Sequence, residues 1–365
     1  MKSLLSTRKA VMALAVVAAL NLSACQSTAK TAKAPAAAAT ASAPAATQVS
    51  QRVLGDGLYE MVYVPQAQAL FVAGSGGFKK EVNGGVIYRL DPTTLESKGE
   101  TYTDLKNFGT AMDPDGSVFY TTNTLDGGIT KVDAQSGKVL QRLMFNQKND
   151  KGNPVGAREI LWHKGNLYVG GVDNPGVIWV VDAKTMKLKT RIHNAGKWVT
   201  GIIYSSLNDR IYAANGSGTI LVINPRTNKV EKRWSAGDGK EYLFLNMAED
   251  PATGRLFVTD NSKAKTTLVF DEHSGKVIKR LEGDALGIKF NAKRNEIYIS
   301  QRESKKVLQL DATTYAVKNS WSFENAPNSL LLSPDGQTLY VSIKQGFNKD
   351  HSTKGPDSVA RIALK

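Results

Sequence analysis

The sequence predicts an all-β fold, a seven-bladed β-propeller of four-stranded blades, from a repeat, its turns and its lack of helical periodicity. An apolar run around one aromatic residue occurs seven times, and its central residues are Phe71, Phe119, Tyr168, Tyr212, Phe257, Tyr298 and Tyr340. These residues lie 41 to 49 positions apart. A period of about 40 to 50 residues with several short strands in each unit is typical of propellers.

Each repeat predicts four strands. An inner strand, such as residues 201–204, precedes the aromatic strand, and a Pro- and Gly-containing turn such as residues 113–116 joins strands of this kind. The third strand ends in Asp, as at Asp182, with a Thr or Ser three residues later. We interpret this Asp as a turn former, not as a catalytic carboxylate. A short turn then leads to an outer strand.

The two ends of the propeller predict how its ring closes. The last repeat stops at residues 359–362 without an outer strand, and residues 51–54 precede the first repeat. We expect this N-terminal segment to supply the missing strand of the last blade, which removes a free sheet edge. The propeller is therefore predicted over residues 51–365.

The first fifty residues have the pattern of a targeting segment. Lys2, Arg8 and Lys9 precede an apolar run over residues 11–22. This run is shorter than the roughly 20 residues of a spanning helix, and it suits a secretory signal.

The sequence Leu-Ser-Ala-Cys that ends at Cys25 resembles the lipobox of bacterial lipoproteins. The resemblance implies a signal peptide over 1–24, lipidation of the Cys25 thiol and a place on the periplasmic side of a bacterial membrane, with the outer membrane preferred. Residues 25–50 are rich in Ala, Thr and Pro and predict a flexible tether. The alternative is an ordinary signal peptide with a chance Cys.

Four longer stretches carry a resemblance to a known family: residues 84–92, 178–182, 290–298 and 327–330. They are similar to the YncE-like periplasmic seven-bladed propellers with YVTN-type repeats, and the likeness covers nearly all of residues 51–365. The resemblance implies a secreted propeller that binds DNA, single-stranded in particular, with no known enzyme activity. The lipobox departs from the plain cleavable signal of that family.

Catalytic motifs are absent from the sequence. One Cys excludes a disulfide framework and a thiolate zinc cluster. The four His residues form no HExxH motif, and neither a GxSxG elbow nor a phosphate-binding loop occurs. We therefore predict no catalytic residue, no metal site and no cofactor.

Positive charge is the remaining signal. The chain has 47 Lys or Arg and 33 Asp or Glu, and only five basic residues precede residue 51, so the propeller carries +9. The loops between second and third strands are expected to share one face with the segments that lead into inner strands. The former loops hold ten cations, Lys79, Lys80, Lys263, Lys265, Arg302, Lys305, Lys306, Lys344, Lys349 and Lys354. Their five acids leave +5, over half of the total: Glu81, Asp260, Glu303, Asp350 and Asp357.

Aromatic residues are interleaved with further cations in the segments that lead into inner strands. These residues are Lys106, Arg158, Lys197 and Lys240, with Tyr59, Phe108, Trp198, Tyr242 and Phe244, while Phe78 and Phe347 lie in the basic loops. Cations neutralise phosphates and rings stack on unpaired bases. We expect a non-enzymatic module for single-stranded DNA or another polyanion, with contacts from Lys79, Lys80, Arg158, Lys197, Trp198, Lys240, Tyr242, Lys263, Lys265, Arg302, Lys305, Lys306, Lys344 and Phe347.

Two other functions stay open at this point. Propellers with similar repeats include lactonases and quinone-dependent dehydrogenases, and Glu60 with Glu159 could bind a metal or a cationic ligand near the channel mouth, unless they pair with Arg158. The other alternative is a scaffold for envelope proteins.

Overall fold

The computed structural model describes residues 49–77, 82–350 and 352–365. Over these ranges 28 strands form seven antiparallel sheets of four strands, and one 3-10 turn occupies Pro65–Ala67. The predicted fold class is confirmed. The described ranges contain no helix that qualifies as a candidate membrane span. The predictions for the signal, the tether and Cys25 fall outside these ranges, as do those for Lys79 and Lys80.

Blades 1 to 6 each contain four consecutive strands. Blade 1 contains β2 (Leu58–Val64), β3 (Ala69–Gly74), β4 (Gly85–Leu90) and β5 (Ser97–Thr103). Blade 2 contains β6 (Asn107–Met112), β7 (Val118–Asn123), β8 (Gly128–Asp133) and β9 (Val139–Met144). Blade 3 contains β10 (Gly156–His163), β11 (Asn166–Val172), β12 (Ile178–Asp182) and β13 (Lys187–Ile192).

The remaining blades follow the same order. Blade 4 contains β14 (Val199–Ser205), β15 (Arg210–Asn215), β16 (Thr219–Asn224) and β17 (Lys229–Ser235). Blade 5 contains β18 (Phe244–Asp250), β19 (Arg255–Asp260), β20 (Thr266–Asp271) and β21 (Lys276–Glu282). Blade 6 contains β22 (Ile288–Asn291), β23 (Glu296–Gln301), β24 (Lys306–Asp311) and β25 (Val317–Ser322). Blade 7 contains β26 (Ala326–Leu332), β27 (Thr338–Lys344), β28 (Ser358–Ala363) and β1 (Val49–Val53).

Blade 7 is closed by the N-terminal strand, as predicted. β1 pairs antiparallel with β28 in a register that joins Val49 to Ile362 and Val53 to Ser358. The side chain of Gln51 adds a 2.7 Å hydrogen bond to Ser358 Oγ. This pairing covers what would otherwise be the exposed edge of β28.

The aromatic marker of each repeat lies on the second strand of its blade, where its ring packs in the core. All seven marker rings are buried. Phe71 and Phe119, from blades 1 and 2, pack with their centroids 4.9 Å apart. Tyr120 donates a 3.0 Å hydrogen bond to the Ala183 carbonyl in the next blade, and Tyr340 donates one of 2.8 Å to Pro92 across the closure. Burial of one such ring contributes about 1.5–3 kcal/mol, and the hydrogen bonds connect neighbouring blades.

The Asp that ends the third strand shapes the following turn. Asp182 Oδ1 accepts hydrogen bonds of 2.8 Å from both the backbone N–H and the hydroxyl of Thr185. These hydrogen bonds lower the pKa of Asp182, since they favour its charged form. The contacts confirm its interpretation as a turn former.

Six outer strands have a β-bulge at an equivalent place, as the register shifts in β5, β9, β13, β17, β21 and β25 show. Beyond the bulge, an Arg binds the loop that leaves the preceding blade. Arg142 lies 2.6 Å from Asp104, and Arg280 lies 2.9 Å from Asp238. Arg233 donates a 3.0 Å hydrogen bond to the Asn194 carbonyl. These contacts hold neighbouring blades together.

Candidate functional site

One face of the ring carries the loops between second and third strands and the loops that lead into each inner strand. We call it the loop face, and the channel opens at its centre. This topology places the predicted contact residues of the described ranges on one side of the molecule, except where a side chain turns inward.

Trp198 is the most exposed aromatic residue in the loops that lead into inner strands; its exposed fraction is 38%. Its backbone has a φ of 52°, a left-handed conformation that costs a bulky residue about 1–2 kcal/mol. Hydrogen bonds hold this conformation, because Trp198 N–H donates to the Asp173 carbonyl at 2.8 Å and Gly216 N–H donates to the Trp198 carbonyl at 3.1 Å. The Lys197 ammonium lies 4.2 Å from the ring centroid. The indole is therefore presented in a fixed position with a cation beside it.

The exposed cations predicted for the loop face lie mainly in the loops of blades 5 to 7. The exposed residues of this group are Lys240, Lys263, Lys265, Arg302, Lys305, Lys306, Lys349 and Lys354. Lys265 forms an ion pair with Glu303, and Lys305 donates a 2.9 Å hydrogen bond to the Glu324 carbonyl. Phe347 lies in the same loop as Lys349 and Lys354, and 42% of its surface is exposed.

Two predicted contact residues turn inward, so the prediction that they belong to an exposed surface is wrong. Lys344 is only 4% exposed, and its ammonium donates to the Leu58 carbonyl at 2.8 Å and to Asp357 at 3.0 Å. Burial lowers its pKa. Tyr242 is 7% exposed and donates a 2.7 Å hydrogen bond to Asp238. Both positions adjoin strand ends, where loop placement alone does not give the side-chain direction.

Arg158 takes part in a column of alternating groups at the channel mouth. Lys344 Nζ lies 4.0 Å from the Tyr59 ring centroid, the Tyr59 and Phe108 rings are 4.1 Å apart, and the Arg158 guanidinium lies 4.9 Å from Phe108. Arg158 also donates a 3.1 Å hydrogen bond to the Thr200 carbonyl. Burial raises the pKa of Tyr59 to about 12. These groups satisfy one another within the protein.

Lys106 is also buried and organises a loop. Its ammonium donates to the carbonyls of Ser75, Gly77, Val82 and Gly84 at distances from 2.6 to 3.3 Å. Burial lowers its pKa. Lys106 thus fixes the backbone on both sides of residues 78–81.

The charge balance of the loop face differs from the prediction. In the described residues of its loops, eleven Lys or Arg side chains stand against twelve Asp or Glu side chains. The described loops between second and third strands hold six cations against five acids, because Asp126 and Asp173 also lie in them, and the loops that lead into inner strands hold five cations against seven acids. The net charge of +5 predicted for the loops between second and third strands is therefore wrong for the described residues, in which it is +1. Cations and exposed rings still concentrate locally, along blades 5 to 7 and at Trp198.

A cavity of about 630 Å³ occupies the channel, and two carboxyl groups face each other in its wall. Glu60 and Glu159 lie at equivalent places in β2 and β10, with Gly109 of β6 between them. Glu60 accepts a 2.8 Å hydrogen bond from Thr110 N–H. Burial raises the pKa of both groups, and the charge of Glu60 raises that of Glu159 further. Two buried carboxyl groups disfavour each other's charge, and the pKa of Glu159 is raised more than that of Glu60.

Lys289 is a lumen residue that the sequence did not single out. It is paired with Tyr298 of the neighbouring strand. At the equivalent position the other inner strands carry Val, Ala, Leu or Ile. It lines the same cavity as Glu60 and Glu159. Its positive charge partly offsets the rise in the pKa of both carboxyl groups. Among the described residues no cluster of three or more His, Cys, Asp or Glu is placed to hold a metal ion.

Four-stranded blades, closure by the N-terminal strand and a loop-lined channel mouth define this protein as a seven-bladed β-propeller. The chain is 38% identical over 326 residues to YncE of Salmonella typhimurium, and equally to YncE of Escherichia coli K12. In both cases the match covers 88% of this chain and 92% of the relative. The chain therefore belongs to the YncE family.

The chain has two more distant similarities. Antigen Lp49 of Leptospira interrogans is 24% identical over 281 residues, which is 72% of this chain and 59% of that protein. The β-propeller domain of Cps50 (Swd1) from Myceliophteria thermophila superimposes with a TM-score of 0.64 at 10% identity, over 87% of this chain and 100% of that domain. This structural likeness shows the fold alone. No protein-family model matches the chain.

Proposed function

We propose that this protein is a lipid-anchored, extracytoplasmic binding propeller without enzyme activity, and that its loop face binds a single-stranded nucleic acid or a similar flexible polyanion. The observation that carries the proposal is Trp198. Backbone strain at an exposed ring is retained only where the surroundings enforce it, and such strain concentrates at functional sites. A flat, pre-positioned ring beside a cation is suited to stacking on an unpaired base.

The charge balance limits the kind of binding. With nearly equal numbers of cations and acids on the loop face, stacking supplies a large share of the affinity, and only a few lysines contact phosphates. Lys305, Lys306 and Arg302 are exposed and adjacent, which makes them the best phosphate ligands. A stiff duplex offers no free base faces to Trp198, so the proposal favours single strands over duplex.

A competition experiment tests this proposal. Labelled single-stranded DNA is bound to the full chain and displaced by unlabelled single strand, duplex or heparin at two ionic strengths. We expect the single strand to compete best and to keep most of its advantage at the higher ionic strength. Equal competition by all three would reduce the interaction to general polyanion attraction and overturn the proposal.

A second candidate is a small-molecule site in the channel, which would include an enzyme of the lactonase-like or quinone-dependent type. It is favoured by one observation, the carboxyl pair Glu60–Glu159 with Lys289 in one cavity. Convergent polar groups of perturbed pKa in a large cavity are typical of ligand sites. Measurement of lactone hydrolysis and of dye-linked alcohol oxidation by wild type and Glu159→Gln tests it, because any activity should be lost in the variant.

A further inference from the structure

The strongest concentration of positive charge lies on the circumference of the ring and not on the loop face. The outer strands of blades 3, 4 and 5 carry two acids, Glu231 and Glu282, and nine exposed cations, Lys187, Lys189, Arg191, Lys229, Lys232, Arg233, Lys276, Lys279 and Arg280. We call these nine residues the basic belt. The other four outer strands together carry only four cations, Arg52, Lys98, Arg142 and Lys318.

Protection of sheet edges does not account for the basic belt. Lysines on exposed edge strands do prevent edge-to-edge pairing, and bulges do the same. Every outer strand from β5 to β25 already has a bulge, including those with a single cation. Three cations on each of three neighbouring strands exceed that need, and their mutual repulsion costs stability.

Most of the basic belt lacks an acidic partner. Within the described residues, only Arg280 forms an ion pair, with Asp238. Arg233 binds the Asn194 carbonyl and Lys189 binds the Asn166 amide oxygen, both uncharged. Glu231 is occupied by Arg210 at 2.7 Å. The belt therefore presents uncompensated charge to solvent.

The geometry of three neighbouring blades suits a flat partner. Four strands spaced about 4.8 Å apart outside the channel place the outer strands roughly 20 Å from its axis. With seven blades turned by about 51° from one to the next, the outer strands of blades 3 and 5 lie about 8 Å behind a plane that touches blade 4. This distance equals the screening length at physiological salt, about 8 Å, so all three strands contribute to attraction by an anionic plane.

The side chains around the cations favour a lipid surface over a nucleic acid. The only aromatic residue on these three strands is Trp234, which is buried, so no ring is available for base stacking. Ile278 instead projects from the bulge of β21 between Lys276 and Lys279, and 54% of its surface is exposed. An apolar side chain among lysines is typical of surfaces that rest on lipid headgroups.

We propose that the basic belt docks the propeller side-on onto an anionic lipid bilayer. The lysines of blade 4 lie at the headgroup level, and those of blades 3 and 5 add attraction across about one screening length, with Ile278 on the blade 5 side of the contact. Arg233 and Arg280 mainly hold their neighbouring blades. This inference does not depend on nucleic-acid binding by the loop face.

A vesicle partition experiment tests this proposal on the full chain with Cys25→Ser, so that no lipid is attached and the N-terminal segment is common to all variants. In the belt variant, Lys187, Lys189, Lys229, Lys232, Lys276 and Lys279 are replaced by Gln. In the matched control, six exposed loop-face lysines are replaced by Gln: Lys240, Lys263, Lys305, Lys306, Lys349 and Lys354. Each protein is mixed with vesicles of phosphatidylcholine or of equal parts phosphatidylcholine and phosphatidylglycerol.

We expect the belt variant to partition to the phosphatidylglycerol vesicles at least about tenfold more weakly than wild type, and the control to stay within about twofold. Binding to phosphatidylcholine should be equal for all three. Equal losses in both variants would show a net-charge effect, and no loss in the belt variant would show that the belt is not the lipid contact; either result overturns the proposal. Single-stranded DNA binding, measured in parallel, should weaken only in the control, so failure of the two proposals can be told apart. Thermal melts confirm that the variants fold.

Discussion

Lys344 and Asp357 form a buried ion pair, 3.0 Å long, at the junction where blade 7 meets blade 1. Their side chains are 4% and 0% exposed. Asp357 also accepts hydrogen bonds from Leu58 N–H at 2.9 Å and Gln345 N–H at 2.7 Å, while Lys344 donates to the Leu58 carbonyl. Lys344, which was predicted to contact a ligand, thus joins the last blade to the first.

Replacement of Lys344 by Met should lower the free energy of unfolding by about 3–5 kcal/mol, because Asp357 is left buried without its counter-charge. Urea denaturation followed by tryptophan fluorescence measures the change. The double variant Lys344→Met/Asp357→Asn should recover part of the loss. If Lys344→Met were as stable as wild type, the pair would contribute nothing to closure.

Replacement of Trp198 by Ala should weaken single-stranded DNA binding by about 1–3 kcal/mol, the usual contribution of one stacked ring. The salt dependence should not change, since no phosphate contact is lost. Fluorescence anisotropy with a labelled oligonucleotide measures both quantities, and Trp198→Phe should keep most of the affinity. Unaltered affinity in Trp198→Ala would remove the observation on which the proposed function depends.

The variant Lys305→Ala/Lys306→Ala should reduce the slope of log affinity against log salt by about 1.4, since each phosphate contact on a single strand contributes about 0.7. The matched control is Lys138→Ala/Lys184→Ala, which changes two exposed lysines in turns on the opposite face. Anisotropy titrations at four salt concentrations give the slopes. A slope that falls equally in both variants would point to a general effect of charge.

Glu272 predicts a pH-dependent stability. Burial, with the charge of nearby Glu249, raises the pKa of Glu272 to about 7, well above its value of about 4.3 in an unfolded chain. The Ser205 hydroxyl oxygen lies 2.6 Å from a carboxyl oxygen of Glu249 and 2.9 Å from one of Glu272. Its single hydrogen can be donated to only one of these two groups. The folded state therefore retains a proton that the unfolded chain releases, so the stabilisation is complete below about pH 4.3 and is lost as pH rises through about 7.

Thermal melts at pH 6 and pH 8 measure this dependence. The melting temperature of wild type should fall over this interval, and Glu272→Gln should fall less because its side chain stays neutral. The control Glu282→Gln changes an exposed carboxylate of the same blade and should follow wild type. An equal fall in all three proteins would contradict the role of Glu272.

The period of the sequence predicted the fold because each repeat carries its own core. Phe71, Tyr168 and their equivalents are buried, so their spacing gives the number of blades. The turn residues between them mark where each strand begins and ends. The closure by β1 followed from counting strands. These features depend on short segments or on the number of strands, and both can be recognised in the sequence.

The candidate site was less predictable, since residues near the end of a strand can turn to either side. The sequence places Lys344 and Lys106 among the basic residues of the loop face, but both ammonium groups are buried. Each donates to backbone carbonyls, and Lys344 also donates to the Asp357 carboxylate. Tyr59 and Phe108 stack on each other at the channel mouth. The predictions for Cys25, Lys79 and Lys80 stay predictions.

The pairing of β1 with β28 makes the order of chain emergence important for folding. Gln51 and Ser358, which meet in this pair, are 307 positions apart. A chain that emerges from its N-terminus keeps β1 without its partner until nearly all of the propeller has appeared, while blades 1 to 6 can already form from contiguous segments. A chaperone that shields an unpaired strand would therefore protect this chain most at its beginning, during translation.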